Sequence, residues 1–122
     1  MSKSVLIVDD DSRMRLFLEK AFIRAGFAPQ TVGSGEKALE LLKSESFAIM
    51  FVDLNMPGMD GIELCKRIRQ GKNLTPIYAI TGYSDTYPEE ECDEAGFTGV
   101  FPKPLDLPKL LDTTRQATSK AS

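Results

Sequence analysis

The sequence contains no histidine among its 122 residues. This absence excludes catalysis by Ser-His-Asp or Cys-His groups, metal sites with histidine ligands, and pH switching by an imidazole. Only two cysteines are present, Cys65 and Cys92, and their spacing does not form a Cys-x-x-Cys motif. Isolated cysteines of this kind are typical of packed thiols in a reducing compartment. Any reaction at this chain must therefore use carboxylates, hydroxyls, lysine or cysteine.

The sequence also lacks an excess of basic charge and long hydrophobic segments. It carries 15 basic and 18 acidic residues, a net charge of −3, so we expect no nucleic-acid binding by this chain. The apolar run at residues 5–8 is too short for a signal peptide, and no run approaches the length of a membrane span. We therefore expect one globular domain over residues 1–122, located in the cytoplasm without membrane contact.

Short apolar runs alternate along the chain with segments whose apolar residues have helical spacing. The runs predict strands at residues 5–8, 27–32, 47–52, 76–80 and 100–101. The spaced segments predict helices at residues 12–25, 34–43, 61–70, 84–95 and 105–117. This alternation predicts an α/β fold with a parallel sheet, right-handed crossovers and helices on both faces. The strand with Pro29 is expected at an edge of the sheet, because proline cannot donate to the ladder.

Side chains able to do chemistry follow four of these strands. They are Asp9, Asp10 and Asp11 after the first strand, Asp53 after the third, Thr81 after the fourth and Lys103 after the fifth. Ligands of open parallel sheets bind at the carboxyl ends of the strands, so we expect these side chains to converge there.

Converging carboxylates stay ionised together only if a cation joins them, and Mg²⁺ prefers such oxygen ligands. An aspartate can itself act as a nucleophile and form an aspartyl-phosphate. The Thr81 hydroxyl could then donate to a phosphoryl oxygen, while Lys103 neutralises its charge. The sequence therefore predicts a site for metal-assisted phosphoryl transfer.

Four motifs resemble those of the receiver domain of bacterial two-component response regulators, in the same order and over nearly the whole chain. They are Asp-Asp at 9–10, Asp-x-x-Met-Pro-x-Met-Asp-Gly at 53–61, Thr-Gly at 81–82 and Lys-Pro at 103–104. The resemblance implies a flavodoxin-like fold with five strands in the order 2-1-3-4-5 and five helices. It also implies a cis peptide bond between Lys103 and Pro104.

The resemblance further implies that Asp53 is the phosphoacceptor and that Mg²⁺, or Mn²⁺ in its place, is bound. The implied ligands are the carboxylates of Asp10 and Asp53 and the backbone carbonyl of Asn55, with Asp9 acting through a water molecule. Thr81 and Lys103 would contact the phosphoryl group. The donor would be a sensor histidine kinase or a histidine phosphotransfer protein, and phosphorylation would switch an output surface for a partner that the sequence does not identify. Such a domain catalyses its own phosphorylation and dephosphorylation, although its role is signalling.

Three features either differ from the family pattern or adjoin its motifs. Val100 stands where the family usually has an aromatic residue that changes between buried and exposed states, so we expect no aromatic switch there. Phe101 should point to the opposite face of its strand. Residues 84–95 are strongly acidic and include Pro88, so we expect a short, displaced or mobile helix. Tyr83 is expected to shield the acyl phosphate and slow its hydrolysis.

Several other residues have simple structural interpretations. Asp11 and Asp60 are expected to start helices, Gly61 to shape a loop and help cap the helix, and Cys65 to pack in the core. The basic residues of the 61–72 segment are expected on a solvated helix face: Lys66, Arg67, Arg69 and Lys72.

Two alternative functions remain open. A receiver-like module could bind partners without phosphorylation, which the missing switch aromatic favours and the complete acid–Thr–Lys set disfavours. A small flavodoxin-like cofactor binder would need a phosphate-binding loop after the first strand, where three aspartates would instead repel a flavin phosphate.

Overall fold

The computed structural model describes residues 3–82 and 89–120, in which five strands alternate with five helices. The strands are β1 (Ser4–Val8), β2 (Ala28–Val32), β3 (Ile49–Asp53), β4 (Ile77–Thr81) and β5 (Gly99–Pro102). The helices are α1 (Ser12–Arg24), α2 (Gly35–Leu42), α3 (Gly61–Gln70), α4 (Glu89–Ala95) and α5 (Leu107–Lys120).

The strands form one parallel sheet in the order β2-β1-β3-β4-β5. This confirms the predicted fold class and strand order, and it confirms the edge position of the strand that contains Pro29. In register, Val8 lies beside Val52, and Asp53 lies beside Ile80. The carboxyl ends of the central strands are therefore level, so the residues that follow them can meet. Within the described ranges, no helix is both long enough and apolar enough to cross a membrane.

The sheet separates two hydrophobic cores. Leu6 and Val8 of β1 pack with residues of α2, α3 and α4, whereas Val5 and Ile7 pack with residues of α1 and α5. Successive side chains of a strand point to opposite faces, so β1 serves both cores and has no polar side. This double burial explains why the strands appear in the sequence as continuous apolar runs.

Phe51 lies at the centre of an aromatic cluster in the core beneath α1 and α5. Its ring centroid is 5.7 Å from that of Phe22, 5.8 Å from Tyr78 and 5.9 Å from Phe101. These contacts join β3 to α1, β4 and β5. Each such ring pair contributes about 0.5–1.5 kcal/mol beyond the burial of its area.

The predicted helix starts are confirmed. The Asp11 carboxylate accepts a 2.9 Å hydrogen bond from the backbone N–H of Arg13, and the Asp60 carboxylate accepts one of 2.9 Å from the N–H of Glu63. Each aspartate thereby satisfies a backbone donor that has no partner within its helix. The buried Cys65 is part of the core, as expected.

Two side chains differ from their predicted environments. Phe17 shares the apolar spacing of α1, yet its side chain is 53% exposed. Arg69 was expected on a solvated face, but its guanidinium donates to the backbone carbonyls of Gly96, Asn73 and Thr75 at 3.0, 2.7 and 2.7 Å. Arg69 therefore ties the end of α3 to the chain that follows α4 and to the loop before β4.

The described part of helix α4 has seven residues, so the expectation of a short, displaced or mobile helix stays a prediction. Cys92 and Ala95 are its buried residues, whereas its acidic residues are exposed except for the half-buried Glu91. The prediction for Tyr83 and the first part of the predicted helix, residues 84–88, lie outside the described residues.

Candidate functional site

Three carboxylates meet at the carboxyl edge of the sheet. Asp9 follows β1, Asp10 is next to it, and Asp53 ends the adjacent strand β3. One oxygen from each of the three lies within 4.8 Å of the others. Asp9 is fully buried and Asp53 is 4% exposed, whereas Asp10 is exposed. The cluster is therefore enclosed by protein on the side of Asp9 and Asp53 and open to solvent at Asp10.

The two oxygens of Asp9 have different surroundings. Oδ1 accepts a 2.9 Å hydrogen bond from the backbone N–H of Asp11. Oδ2 is buried and has no hydrogen-bond partner among the described residues. A buried carboxylate oxygen without a donor is costly unless a cation compensates it. This orphaned oxygen and the all-oxygen donor set fit a hard divalent ion such as Mg²⁺.

The carboxylates also disturb one another's ionisation. Burial, followed by the neighbouring charge of Asp9, raises the pKa of Asp53 to about 6. The N–H of Asn55, 3.1 Å from Asp53 Oδ1, and the charge of Lys103 lower this pKa but do not offset the burial. Burial raises the pKa of Asp9 as well. Each carboxylate would be easier to ionise with a cation between them.

Thr81 and Lys103 reach the same edge from β4 and β5. The backbone N–H of Lys103 donates to the carbonyl of Thr81 at 2.8 Å, and the Thr81 hydroxyl donates to the carbonyl of Gly82 at 3.2 Å. The Lys103 ammonium favours ionisation of Asp9 and Asp53, although it forms no ion pair with a carboxylate of residues 3–82 or 89–120. The peptide bond between Lys103 and Pro104 is cis, as the resemblance implied.

Gly61 brings helix α3 against the end of β3. Its N–H donates to the carbonyl of Leu54 at 3.1 Å. A Cβ at this position would lie 2.6 Å from the carbonyl oxygen of Asp53 and 2.9 Å from Cα of Leu54. Because both atoms belong to the backbone, any side chain would push α3 away from Asp53. Sequence analysis assigned Gly61 to loop shape and capping and did not detect this close approach.

Val100 and Phe101 of β5 are oriented as predicted. Val100 is 37% exposed, and Phe101 is buried in the aromatic cluster on the opposite face. The exposed position three residues before Lys103 is thus occupied by a small aliphatic side chain.

The structure brings together most of the predicted site residues. Asp9, Asp10 and Asp53 form the cluster, Lys103 lies close enough to act on it electrostatically, and Thr81 reaches the same edge. Asn55 is in contact through its backbone, whereas Asp11 caps α1, as expected. Sequence analysis missed Arg15, whose guanidinium bonds to the backbone of Asp9.

The raised pKa of Asp53 predicts how stability depends on pH. In metal-free protein the folded state binds more protons than the unfolded state between the unfolded pKa near 4 and the folded value of about 6. The contribution of Asp53 to the free energy of unfolding therefore decreases as pH rises through this window, on the order of 3 kcal/mol in all.

Urea unfolding of wild type and Asp53→Asn, followed by circular dichroism at pH 4 to 7 without divalent ions, measures this contribution. The stability advantage of the variant should grow from pH 4 to 6 and then level off. An advantage that does not change with pH would contradict the raised pKa.

Comparisons with known proteins agree with the geometry of this edge. The family described as the response regulator receiver domain matches residues 5–115. The chain is 35% identical over 115 residues to the DNA-binding transcriptional regulator NtrC of Escherichia coli, covering 94% of this chain and 24% of that protein. The chain thus spans about a quarter of the length of this curated relative.

Solved structures show the same relationship over whole domains. A response regulator described as putative, from Chloroflexus aurantiacus, superimposes with a TM-score of 0.88 at 30% identity, covering 98% of this chain and 99% of that one. The chemotaxis protein CheY4 of Vibrio cholerae gives a TM-score of 0.86 at 31% identity, covering 96% and 99%.

Proposed function

The chain belongs to the response regulator receiver domain family, and from this premise we propose that Asp53 accepts a phosphoryl group from a phosphohistidine of a partner protein in a Mg²⁺-dependent reaction. The observation that carries the proposal is the convergence of three carboxylates with Lys103 and Thr81 at one edge of the sheet. The absence of histidine fits this proposal, because the donor imidazole must then lie outside these 122 residues.

The proposed ion is Mg²⁺, for which Mn²⁺ could substitute. The side chains of Asp10 and Asp53 and the backbone carbonyl of Asn55 would hold it, and the orphaned Oδ2 of Asp9 would bind through a water molecule. When bound, the ion neutralises charge on the oxygens of the transferred group. A bound cation would further favour the ionised form of Asp53, whose pKa burial and the charge of Asp9 raise to about 6, and the ionised carboxylate is the form that can act as a nucleophile.

In the proposed transfer, an Asp53 oxygen forms a bond to phosphorus while the bond from phosphorus to the partner's imidazole nitrogen breaks. The Lys103 ammonium neutralises charge on the phosphoryl oxygens, and the Thr81 hydroxyl turns from the Gly82 carbonyl to donate to one of them. Hydrolysis by water later returns the carboxylate and releases inorganic phosphate.

The phosphorylated site carries more negative charge than the free one. This charge would draw Thr81 and Lys103 inward and shift the equilibrium of the loops that follow β4 and β5. A partner that binds one arrangement of these loops would then sense the change. The donor would be a sensor histidine kinase or a histidine phosphotransfer protein of a cytoplasmic two-component or phosphorelay system.

Incubation with acetyl phosphate and Mg²⁺, followed by intact-protein mass spectrometry, tests the proposal. We expect the mass to increase by one phosphoryl group, and we expect chelation of the metal with EDTA to prevent the increase. A protein that gains no mass, although its circular dichroism shows it to be folded, would instead favour a receiver-like module that binds partners without phosphorylation.

A further inference from the structure

Arg15 contacts the backbone that carries the acidic cluster. It lies in the first turn of α1, and its Nη1 donates a 2.7 Å hydrogen bond to the backbone carbonyl of Asp9. Among the residues that the structure describes, the guanidinium forms no ion pair with a carboxylate. Arg15 therefore contacts the chain that carries the cluster rather than the cluster itself.

The end of β2 explains why this carbonyl needs a side-chain donor. The N–H of Asp9 still donates to the carbonyl of Val32 at 3.2 Å, which continues the ladder between β1 and β2. Strand β2 ends at Val32, and Ser34 already caps α2. In a continuing parallel ladder the next donor to the Asp9 carbonyl would come from β2. Arg15 replaces that missing donor.

The β2–α2 connection leaves space for the guanidinium. A Cβ at Gly33 would lie 3.0 Å from Arg15 Nη1 and 3.5 Å from Cζ. Because residue 33 has no side chain, the guanidinium can lie between this connection and the end of β1 without a clash. Arg15 thus spans the loops that follow both strands.

The bond to Asp9 also orients Asp10. The carbonyl of Asp9 and the N–H of Asp10 belong to one planar peptide unit, so holding the oxygen sets the direction in which Asp10 leaves the strand. Asp10 is exposed, and repulsion from Asp9 and Asp53 would otherwise favour its movement away from them into solvent. The Asp9 side chain has its own anchor at the N–H of Asp11.

From these contacts we propose that Arg15 is a positioning residue for the cation site, holding Asp10 within reach of a divalent ion shared with Asp53. This inference rests on the proposed function, because it takes the cluster to be a Mg²⁺ site. Residues that orient metal ligands typically change metal affinity by about 10- to 100-fold when they are replaced.

Mg²⁺ titration of the full chain by isothermal calorimetry tests this role in wild type, Arg15→Gln and Arg13→Gln. Arg13 lies on the same helix and is exposed, so its replacement removes the same charge near the same site. Loss of positive charge alone should tighten Mg²⁺ binding slightly in both variants. We expect Arg15→Gln instead to weaken it about 10-fold or more, while Arg13→Gln changes it less than about 2-fold.

Two further measurements separate positioning from general destabilisation. The thermal midpoint of metal-free Arg15→Gln should stay close to that of wild type. Arg15→Lys, which keeps the charge and can offer one donor to the carbonyl, should recover part of the affinity. Binding by Arg15→Gln as tight as wild type would overturn the inference and leave the proposed function intact. Wild-type protein that binds no Mg²⁺ would overturn both.

Discussion

An Asp53→Asn variant should gain no phosphoryl group from acetyl phosphate under conditions in which wild-type protein is fully modified. The amide oxygen has the size of the carboxylate oxygen but neither its charge nor its nucleophilicity. Loss of a covalent nucleophile reduces such reactions by at least ~10³-fold. Intact-protein mass spectrometry over a time course measures the difference, with tandem fragmentation to locate the modified residue in wild type.

Asp112→Asn is the matched control for this result. It makes the same chemical change on the exposed surface of α5, where Asp112 pairs with Arg115, three residues away. The control should be modified at the wild-type rate. Phosphoryl incorporation by Asp53→Asn would show that another residue is the acceptor.

A Phe51→Ala substitution should reduce the free energy of unfolding by about 3–5 kcal/mol. Phe51 is fully buried, and its ring contacts those of Phe22, Tyr78 and Phe101. Truncation would remove apolar burial and three ring contacts at once, and the surrounding strands cannot close the cavity completely. Urea unfolding followed by circular dichroism measures the loss.

Phe17→Ala provides the comparison for this variant. Phe17 is the same residue type in the same domain, but its side chain is 53% exposed. Its replacement should change stability by less than about 1 kcal/mol. Equal losses for the two variants would mean that the aromatic cluster around Phe51 is not the centre of the core.

The order of the elements and the position of the site could be predicted from the sequence because both follow from local pattern. Continuous apolar runs indicate strands buried on both faces, and a parallel sheet places the residues after each strand at one edge. Helix α3 was predicted with the bounds that the structure shows, and Asp60 caps its start as expected. Asp9, Asp53 and Lys103 could therefore be placed near one another before any coordinates were known.

The missed features depend on contacts between distant segments. Arg15 and Arg69 bond to backbone carbonyls that come within reach only when the strands and loops are in place. The exposure of Phe17 depends on which neighbours cover the margin of the apolar stripe of α1, and helical spacing does not specify those neighbours. The start of α5 at Leu107, two residues later than predicted, follows from capping by Asp106, which bonds to the N–H of Lys109 at 3.2 Å.

The assembly of the site from four strand ends would, under the proposed function, make phosphorylation depend on complete folding. Asp9 and Lys103 are separated by most of the chain, and the strand that precedes Lys103 is the last of the sheet. During synthesis, Asp53 emerges from the ribosome well before Lys103, so a partly made or unfolded chain has the acceptor residue without its surroundings. Under the proposed function, only folded molecules can be loaded with phosphate, and cellular Mg²⁺ stabilises those same molecules by mass action. Misfolded copies would therefore stay unphosphorylated without the action of any other protein.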